Sequence, residues 1–229
     1  AVVYSGEDAR FEYIYKFVSR DKIAPGGGKA NATLLDHGTL YVARFDADGT
    51  GRWLPLVHGQ GPLTVANGFA DQATVCVRTR QAGDAVGATK MDRPEWIDTF
   101  PDSLTAVATL TNNTRRGTGT NPAVDAANPR GPNPYGSVIQ WSYRNDWTEP
   151  SFRWEQFALA GDPAVPANGS TIVGDKYGSP DGLYVAPSRR LWIQTDVSAS
   201  VLNKGDYAGL GNNQLLAADV TTGEVRRFL

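Results

Sequence analysis

Apolar and polar residues alternate over most of this sequence, and the alternation predicts β-strands. Runs of strand length, rich in aromatic and β-branched residues, recur between segments that contain Gly, Pro, Asn or Asp, as expected for strands bounded by turns. These runs are residues 11–18, 39–45, 52–56, 95–98, 104–111, 137–143, 152–159, 182–186, 191–195, 214–220 and 224–229. The pattern predicts an all-β protein.

One segment has a different period. Residues 69–86 carry apolar residues at helical intervals, namely Phe69, Ala73, Val77, Ala82 and Val86, so one short helix is predicted there, as an insertion between strands. Gly83 weakens the prediction for the last turn, because glycine disfavours a helix interior.

The predicted strands group into repeats of four. Residues 180–229 read as a four-stranded antiparallel meander of about fifty residues, the size of a propeller blade. Residues 93–159 show a similar order, and residues 1–57 resemble a blade without its innermost strand. We therefore predict one partial β-propeller over 1–229, with two full blades and part of a third.

A closed propeller needs at least about four blades. Two explanations follow. The chain is a portion of a longer protein, or two copies close one propeller between them. The first is favoured because the sequence opens inside a predicted strand, at residues 1–4. Open blade edges also make self-association an expectation.

Charge and composition exclude several classes of function and of metal site. The 22 Lys and Arg residues against 24 Asp and Glu give a net charge of −2, so nucleic acid binding by bulk charge is not expected. No run is apolar enough to span a membrane. One Cys and two His exclude a disulfide framework and make zinc sites improbable. A metal would be held mainly by oxygen, which favours calcium.

Aligning the repeats brings polar residues to one edge. Arg93-Pro94-Glu95 lies over Ser179-Pro180-Asp181, and the ends of the second strands, 111–113 and 195–196, match residues 4–8 of the first segment. In an antiparallel meander the start of strand one and the end of strand two share an edge. The sequence therefore predicts one face rich in Glu, Asp, Asn and Arg.

Carboxylates brought together must repel one another or bind cations. Glu95, between Pro and Trp at a strand start, favours a site role, whereas residues 180–182 also read as a simple turn and Asp196 also reads as a loop cap. Arg130 follows Asn-Pro in a proline-rich loop. The planar guanidinium group of Arg130 is suited to bind an oxyanion next to metal cations held by these carboxylates.

Other motifs do not carry chemistry. The glycine run at 26–29 lacks the spacing of a phosphate loop, and residues 46–49 read as a hairpin turn rather than a calcium loop. His37 and His58 are expected to be structural, and Cys76 is expected to be buried in the predicted helix.

Six stretches, distributed along nearly the whole chain, resemble the PhoX-type alkaline phosphatases. They are residues 4–18 (YSGEDARFEYIYKFV), 87–96 (GATKMDRPEW), 110–113 (LTNN), 128–136 (NPRGPNPYG), 179–183 (SPDGL) and 211–214 (GNNQ).

The resemblance implies a secreted or periplasmic bacterial phosphomonoesterase. It implies a propeller whose channel holds calcium and iron(III), with a small phosphomonoester as substrate. By position, Glu95, Asp181 and Asp196 correspond to metal ligands, and Arg130 with Asn133 to phosphate-contacting, catalytic residues.

The sequence also departs from that family. Its iron-binding Cys lies upstream of Ala1, and Cys76 does not match it; Pro132 stands where the family often has Glu. A missing carboxylate puts one iron site in question. Two alternatives stay open, namely a non-catalytic propeller module that binds a ligand and an inactive structural fragment.

Overall fold

The structure is a computed structural model and describes all of residues 1–229. Most of the chain forms β-strands, in three successive groups. The first group is β1 (Val2–Gly6), β2 (Ile14–Ser19), β3 (Gly38–Phe45) and β4 (Thr50–Pro55). The second is β5 (Pro94–Thr99), β6 (Thr105–Leu110), β7 (Ser137–Ser142) and β8 (Ser151–Leu159). The third is β9 (Val173–Gly174), β10 (Pro180–Val185), β11 (Arg190–Thr195), β12 (Leu215–Asp219) and β13 (Glu224–Arg227).

Each group contains a complete antiparallel meander of four strands. The all-β prediction is confirmed. Residues 38–55 form two strands, β3 and β4, joined by a tight turn in which the Asp46 amide donates to the Thr50 carbonyl at 2.8 Å. The interpretation of residues 1–57 as a blade without its innermost strand stays a prediction. The two-residue strand β9, which pairs in parallel with β13, was not predicted.

The helical insertion contains two short helices, α1 (Gln72–Val77) and α2 (Thr79–Val86), rather than one. The helix breaks at Arg78, whose φ of −104° and ψ of 40° lie outside helical geometry. Gly83 lies inside α2 despite the low helix propensity of glycine. Its position leaves no room for a side chain, because a Cβ there would come within 2.9 Å of the Tyr13 ring. Short 3-10 turns cover Gly28–Asn31, Val65–Asn67, Pro166–Asn168 and Gly205–Tyr207. None of the helices has the length and hydropathy needed to cross a membrane.

The outer strands of the meanders are partly covered. β4 pairs with β8 in antiparallel fashion and joins the first two meanders into one eight-stranded sheet. β9 lies along the outer strand β13 of the third meander. These pairings occupy edges that were expected to be open; self-association stays a prediction.

The meanders stack face to face through separate cores. Trp53 and Phe45 of the first meander pack with Trp141 and Ala108 of the second, while Val107, on the opposite face of β6, packs with the third meander. Alternate residues of one strand thus enter two cores, as the two-residue period requires.

The first strands of the three meanders lie side by side. A Cβ on Gly6 would come within 2.5 Å of the Glu95 carbonyl oxygen, so β1 approaches β5 too closely for any side chain there. The Thr109 hydroxyl donates to the Asp181 carbonyl at 2.6 Å and ties β6 to β10. This packing is consistent with propeller blades around an axis; the closed propeller itself stays a prediction.

Candidate metal and oxyanion site

The strands β5 and β10 begin with the same unusual geometry. Arg93 and Ser179, which precede Pro94 and Pro180, have φ of 60° and 53°, in the left-handed region that residues other than glycine rarely adopt. In both strands the pairing register shifts immediately after the proline. A bulge of this kind redirects a side chain. Here it falls at the predicted site residues Glu95 and Asp181.

Three carboxylates lie near one another along this edge, and we call Asp8, Glu95 and Asp181 the carboxylate group. Glu95 lies close enough to both Asp8 and Asp181 for the carboxyl groups to shift one another's pKa. Asp8 lies in the connection between β1 and β2, so each meander contributes one member. The starts of β5 and β10 therefore meet the end of β1 at this edge. Asp8 is a member that the sequence indicated only as part of residues 4–8.

Burial and mutual repulsion make it unfavourable for all members of the carboxylate group to be ionised together. Burial, the hydrogen bond with Asp8 and repulsion from Asp181 raise the pKa of Glu95 to about 8. Burial and repulsion from Asp196 also raise the pKa of Asp181. Burial acts in the same direction on Asp8, but hydrogen bonds from Glu95 and Arg93 outweigh it and lower its pKa. At neutral pH the Glu95 carboxyl is the member that holds a proton.

One cation borders the carboxylate group. Arg93 donates to Asp8 at 2.7 Å, and its Nη2 lies 3.8 Å from Glu95. Asp196, at the end of β11, is exposed, and its backbone amide donates to the Ser179 carbonyl at 2.9 Å. Asp196 is thus held beside the start of β10, where its carboxylate repels that of Asp181 and raises the Asp181 pKa.

The carboxylate group has the type of donor atom that a metal ion binds, but this chain supplies too few of them at one place to hold the ion. Carboxylate oxygens that repel one another are hard donors of the type calcium prefers. No three His, Cys, Asp or Glu side chains of this chain come close enough to hold a metal ion by themselves. Cys76, expected to be buried, is exposed on α1, because each residue turns the helix by about 100° and this turns Cys76 away from the face that buries Val75; it does not join the site.

Arg130 and Asn133 are held in a second cluster of polar residues. The Arg130 Nη1 donates to the carbonyls of Ala160 at 2.6 Å and Asn168 at 2.9 Å. Its Nη2 donates to the Asn133 Oδ1 at 2.8 Å and to the Gly136 carbonyl. The terminal nitrogens are all engaged with this chain, and Nε is buried without a partner.

The cluster continues through Asn133 to an ion pair that sequence reasoning missed. The Asn133 Nδ2 donates to Asp92 at 2.9 Å, and Asp92 accepts from the Arg116 Nε at 2.8 Å. Asp92 and Arg116 are both fully buried, with exposures of 0%. We call Arg130, Asn133, Asp92 and Arg116 the buried network. Of the two residues in the ion pair, only Asp92 carried a sequence signal, because it directly precedes the Arg-Pro-Glu motif.

Polar residues at the other strand ends have structural partners. The Asn112 Nδ2 donates to the Ser179 hydroxyl at 3.1 Å, and that hydroxyl bonds the Tyr207 hydroxyl at 2.6 Å. Asn113 exchanges two backbone hydrogen bonds with Asn133. These contacts fix the loop after β6 against the start of β10.

Three repeated four-stranded meanders with carboxylates gathered at one edge define an all-β protein with a candidate cation site. The alkaline phosphatase PhoX family model matches residues 1–229. This chain belongs to the PhoX alkaline phosphatase family.

A solved structure agrees with this assignment. Pseudomonas fluorescens PhoX in complex with vanadate, a transition state analogue, is 48% identical to this chain and superposes with a TM-score of 0.91 over 99% of it. The match covers 41% of that protein, so this chain spans about two fifths of its length. A search of curated proteins finds no match.

Proposed function

We propose that this chain is part of a secreted or periplasmic bacterial phosphomonoesterase that hydrolyses small phosphate esters at a metal cluster. The observation that carries the proposal is the family match over residues 1–229 together with a carboxylate group built from all three meanders. Such carboxylates, with one bordering arginine, need further positive charge.

We assign Glu95, Asp181 and Asp196 as metal ligands contributed by this chain, with Asp8 as an additional candidate. Their oxygen donors suit calcium; the iron(III) of the family would need ligands from outside these residues. When bound, the metals would stabilise negative charge on the phosphoryl oxygens. Metal binding would also displace the proton that Glu95 holds.

Within this proposal Arg93 keeps Asp8 oriented, since it donates to that carboxylate through both Nε and Nη2, at 3.0 and 2.7 Å. Asn133 and Arg130 remain the candidates for phosphate contact. A contact through the Arg130 Nη atoms would require it to exchange hydrogen bonds with backbone carbonyls for bonds with the phosphate. Its Nε has no partner but is buried, so a contact there would also require the surrounding residues to move.

Hydrolysis of 4-nitrophenyl phosphate by the whole protein tests the proposal. Activity should be lost with a chelator and restored by calcium with iron(III). Glu95→Gln and Asp181→Asn should each lower kcat about 100-fold or more, the size expected for lost charge stabilisation. Asp102→Asn is the matched control, because Asp102 lies beyond the far end of β5 and pairs with the exposed Arg189.

Full activity in chelator, or unchanged activity in Glu95→Gln, would contradict the proposal. The 229 residues alone should be inactive, since part of a ligand set does not hold a cluster.

A second candidate function is a binding module without catalysis. Pro132 favours it, because it replaces a carboxylate that the family often has, and it is exposed beside the buried network. Vanadate or phosphate binding by metal-loaded protein that shows no turnover would support this alternative.

A further inference from the structure

Two further arginines, Arg10 and Arg115, lie near Arg93, the residue that borders the carboxylate group. Arg10 forms an isolated antiparallel bridge with Asp92, and the next residue, Phe11, donates its amide to the Met91 carbonyl at 2.9 Å. This bridge sets Arg10 next to Arg93.

Arg115 joins them from the loop after β6. Its amide donates to the Asn113 Oδ1 at 3.1 Å, and the adjacent Arg116 is anchored on Asp92 at 2.8 Å. The loop is thus fixed over the Arg10–Asp92 bridge. Burial together with repulsion from Arg93 and Arg115 lowers the pKa of Arg10, which agrees with their proximity.

The positive charge of this arginine cluster (Arg10, Arg93 and Arg115) is not balanced within the chain. Arg10 and Arg115 are exposed, and neither forms an ion pair within 4.0 Å. Arg93 is paired with Asp8. Phe11 and Arg93 have φ of 69° and 60°; such backbone strain concentrates at functional sites.

We propose that Arg10, Arg93 and Arg115 form an oxyanion site that takes a phosphate group without a metal ion. Guanidinium forks match the oxygens of phosphate, with two parallel hydrogen bonds from one side chain. Two unpaired guanidiniums supply the charge for a dianion, and Arg93 links the site to the carboxylate group through Asp8. The occupant is a second phosphate group of the ester or the released phosphate ion.

Metal-free binding tests this proposal independently of hydrolysis. Pyrophosphate and inorganic phosphate are titrated calorimetrically into protein kept in chelator. Binding is expected, and it should weaken with added salt. Arg10→Gln and Arg115→Gln should each weaken it about tenfold, as expected for a lost charge-assisted hydrogen bond.

Arg144→Gln is the matched control. Arg144 is exposed, forms no ion pair and follows the end of β7 that lies away from the site. It should bind as the unsubstituted protein does. No binding in chelator, or the same affinity in the Arg10, Arg115 and Arg144 variants, would overturn the proposal, whether or not the whole protein is a phosphatase.

Kinetics of the whole protein separate the two sources of phosphate. If the site holds a second phosphate of the substrate, Arg115→Gln raises KM for a bisphosphorylated ester and not for 4-nitrophenyl phosphate. If it holds the product, the same change weakens inhibition by phosphate equally with either substrate.

Discussion

The carboxylate group and the buried network use similar residues at adjoining positions, yet their charges are balanced differently. In the buried network each charge meets an opposite charge or an amide inside the chain, as Asp92 meets Arg116 and Asn133. In the carboxylate group three acids share one arginine, and the pKa of Glu95 rises to about 8. The network is therefore expected to stabilise the fold, and the group to need a ligand.

The largest effect should come from breaking the buried network. Arg116→Met leaves the Asp92 carboxylate buried without its cation, so the free energy of unfolding should fall by about 3–5 kcal/mol. Urea unfolding measures it. Arg115→Met, one residue away and exposed, should change stability by less than about 0.5 kcal/mol. Equal losses in both variants would remove the contrast between the two regions.

The close approach of β1 to β5 should give the next largest effect. Gly6→Ala sets a Cβ within 2.5 Å of the Glu95 carbonyl oxygen, so β1 or β5 must shift. The expected loss is about 1–3 kcal/mol, measured by urea unfolding. Ser5→Ala, at the exposed neighbour, should be nearly neutral. An unchanged free energy of unfolding in Gly6→Ala would show that β1 and β5 are not packed as closely as the structure indicates.

The pH dependence of the metal-free protein sharpens the comparison. The pKa of Glu95 rises from 4.5 to about 8 on folding, so the folded state binds this proton more tightly and stability falls as pH rises between those values. Glu95→Gln removes that contribution, so the stability of the variant should vary with pH by about 1–2 kcal/mol less over this window; solvent screening at this partly exposed group reduces the effect of the full shift. Urea unfolding at pH 5, 7 and 9 in chelator measures it; parallel profiles would contradict the expectation.

The smallest effect should come from Asp196. Asp196→Asn removes repulsion that raises the pKa of Asp181, but the side chain is exposed, so stability should change by less than about 0.5 kcal/mol. Calcium affinity, measured calorimetrically with the whole protein, should fall if Asp196 is a ligand. Unchanged affinity would remove it from the proposed ligand set.

The sequence predicted more of the fold than of the site. Every strand predicted from alternation is present. Successive side chains of a strand point to opposite faces of the sheet, so a strand leaves a two-residue pattern in its own local sequence. The alignment of Arg93-Pro94-Glu95 with Ser179-Pro180-Asp181 also held in structure, down to the positive φ before each proline. The break at Arg78 and the exposure of Cys76 were missed, since helix ends and faces depend on what packs against them.

What the sequence by itself determined is local: the strands, the turns between them and the chemistry of the residues at their ends. Tertiary structure decided which of those residues meet. It joined Asp8 to Glu95 across two meanders, buried Arg116 on Asp92 and turned the Arg130 Nη atoms toward backbone carbonyls. The physical reason is that pKa values and ion pairs depend on burial and on distances between residues far apart in sequence, which no local pattern records.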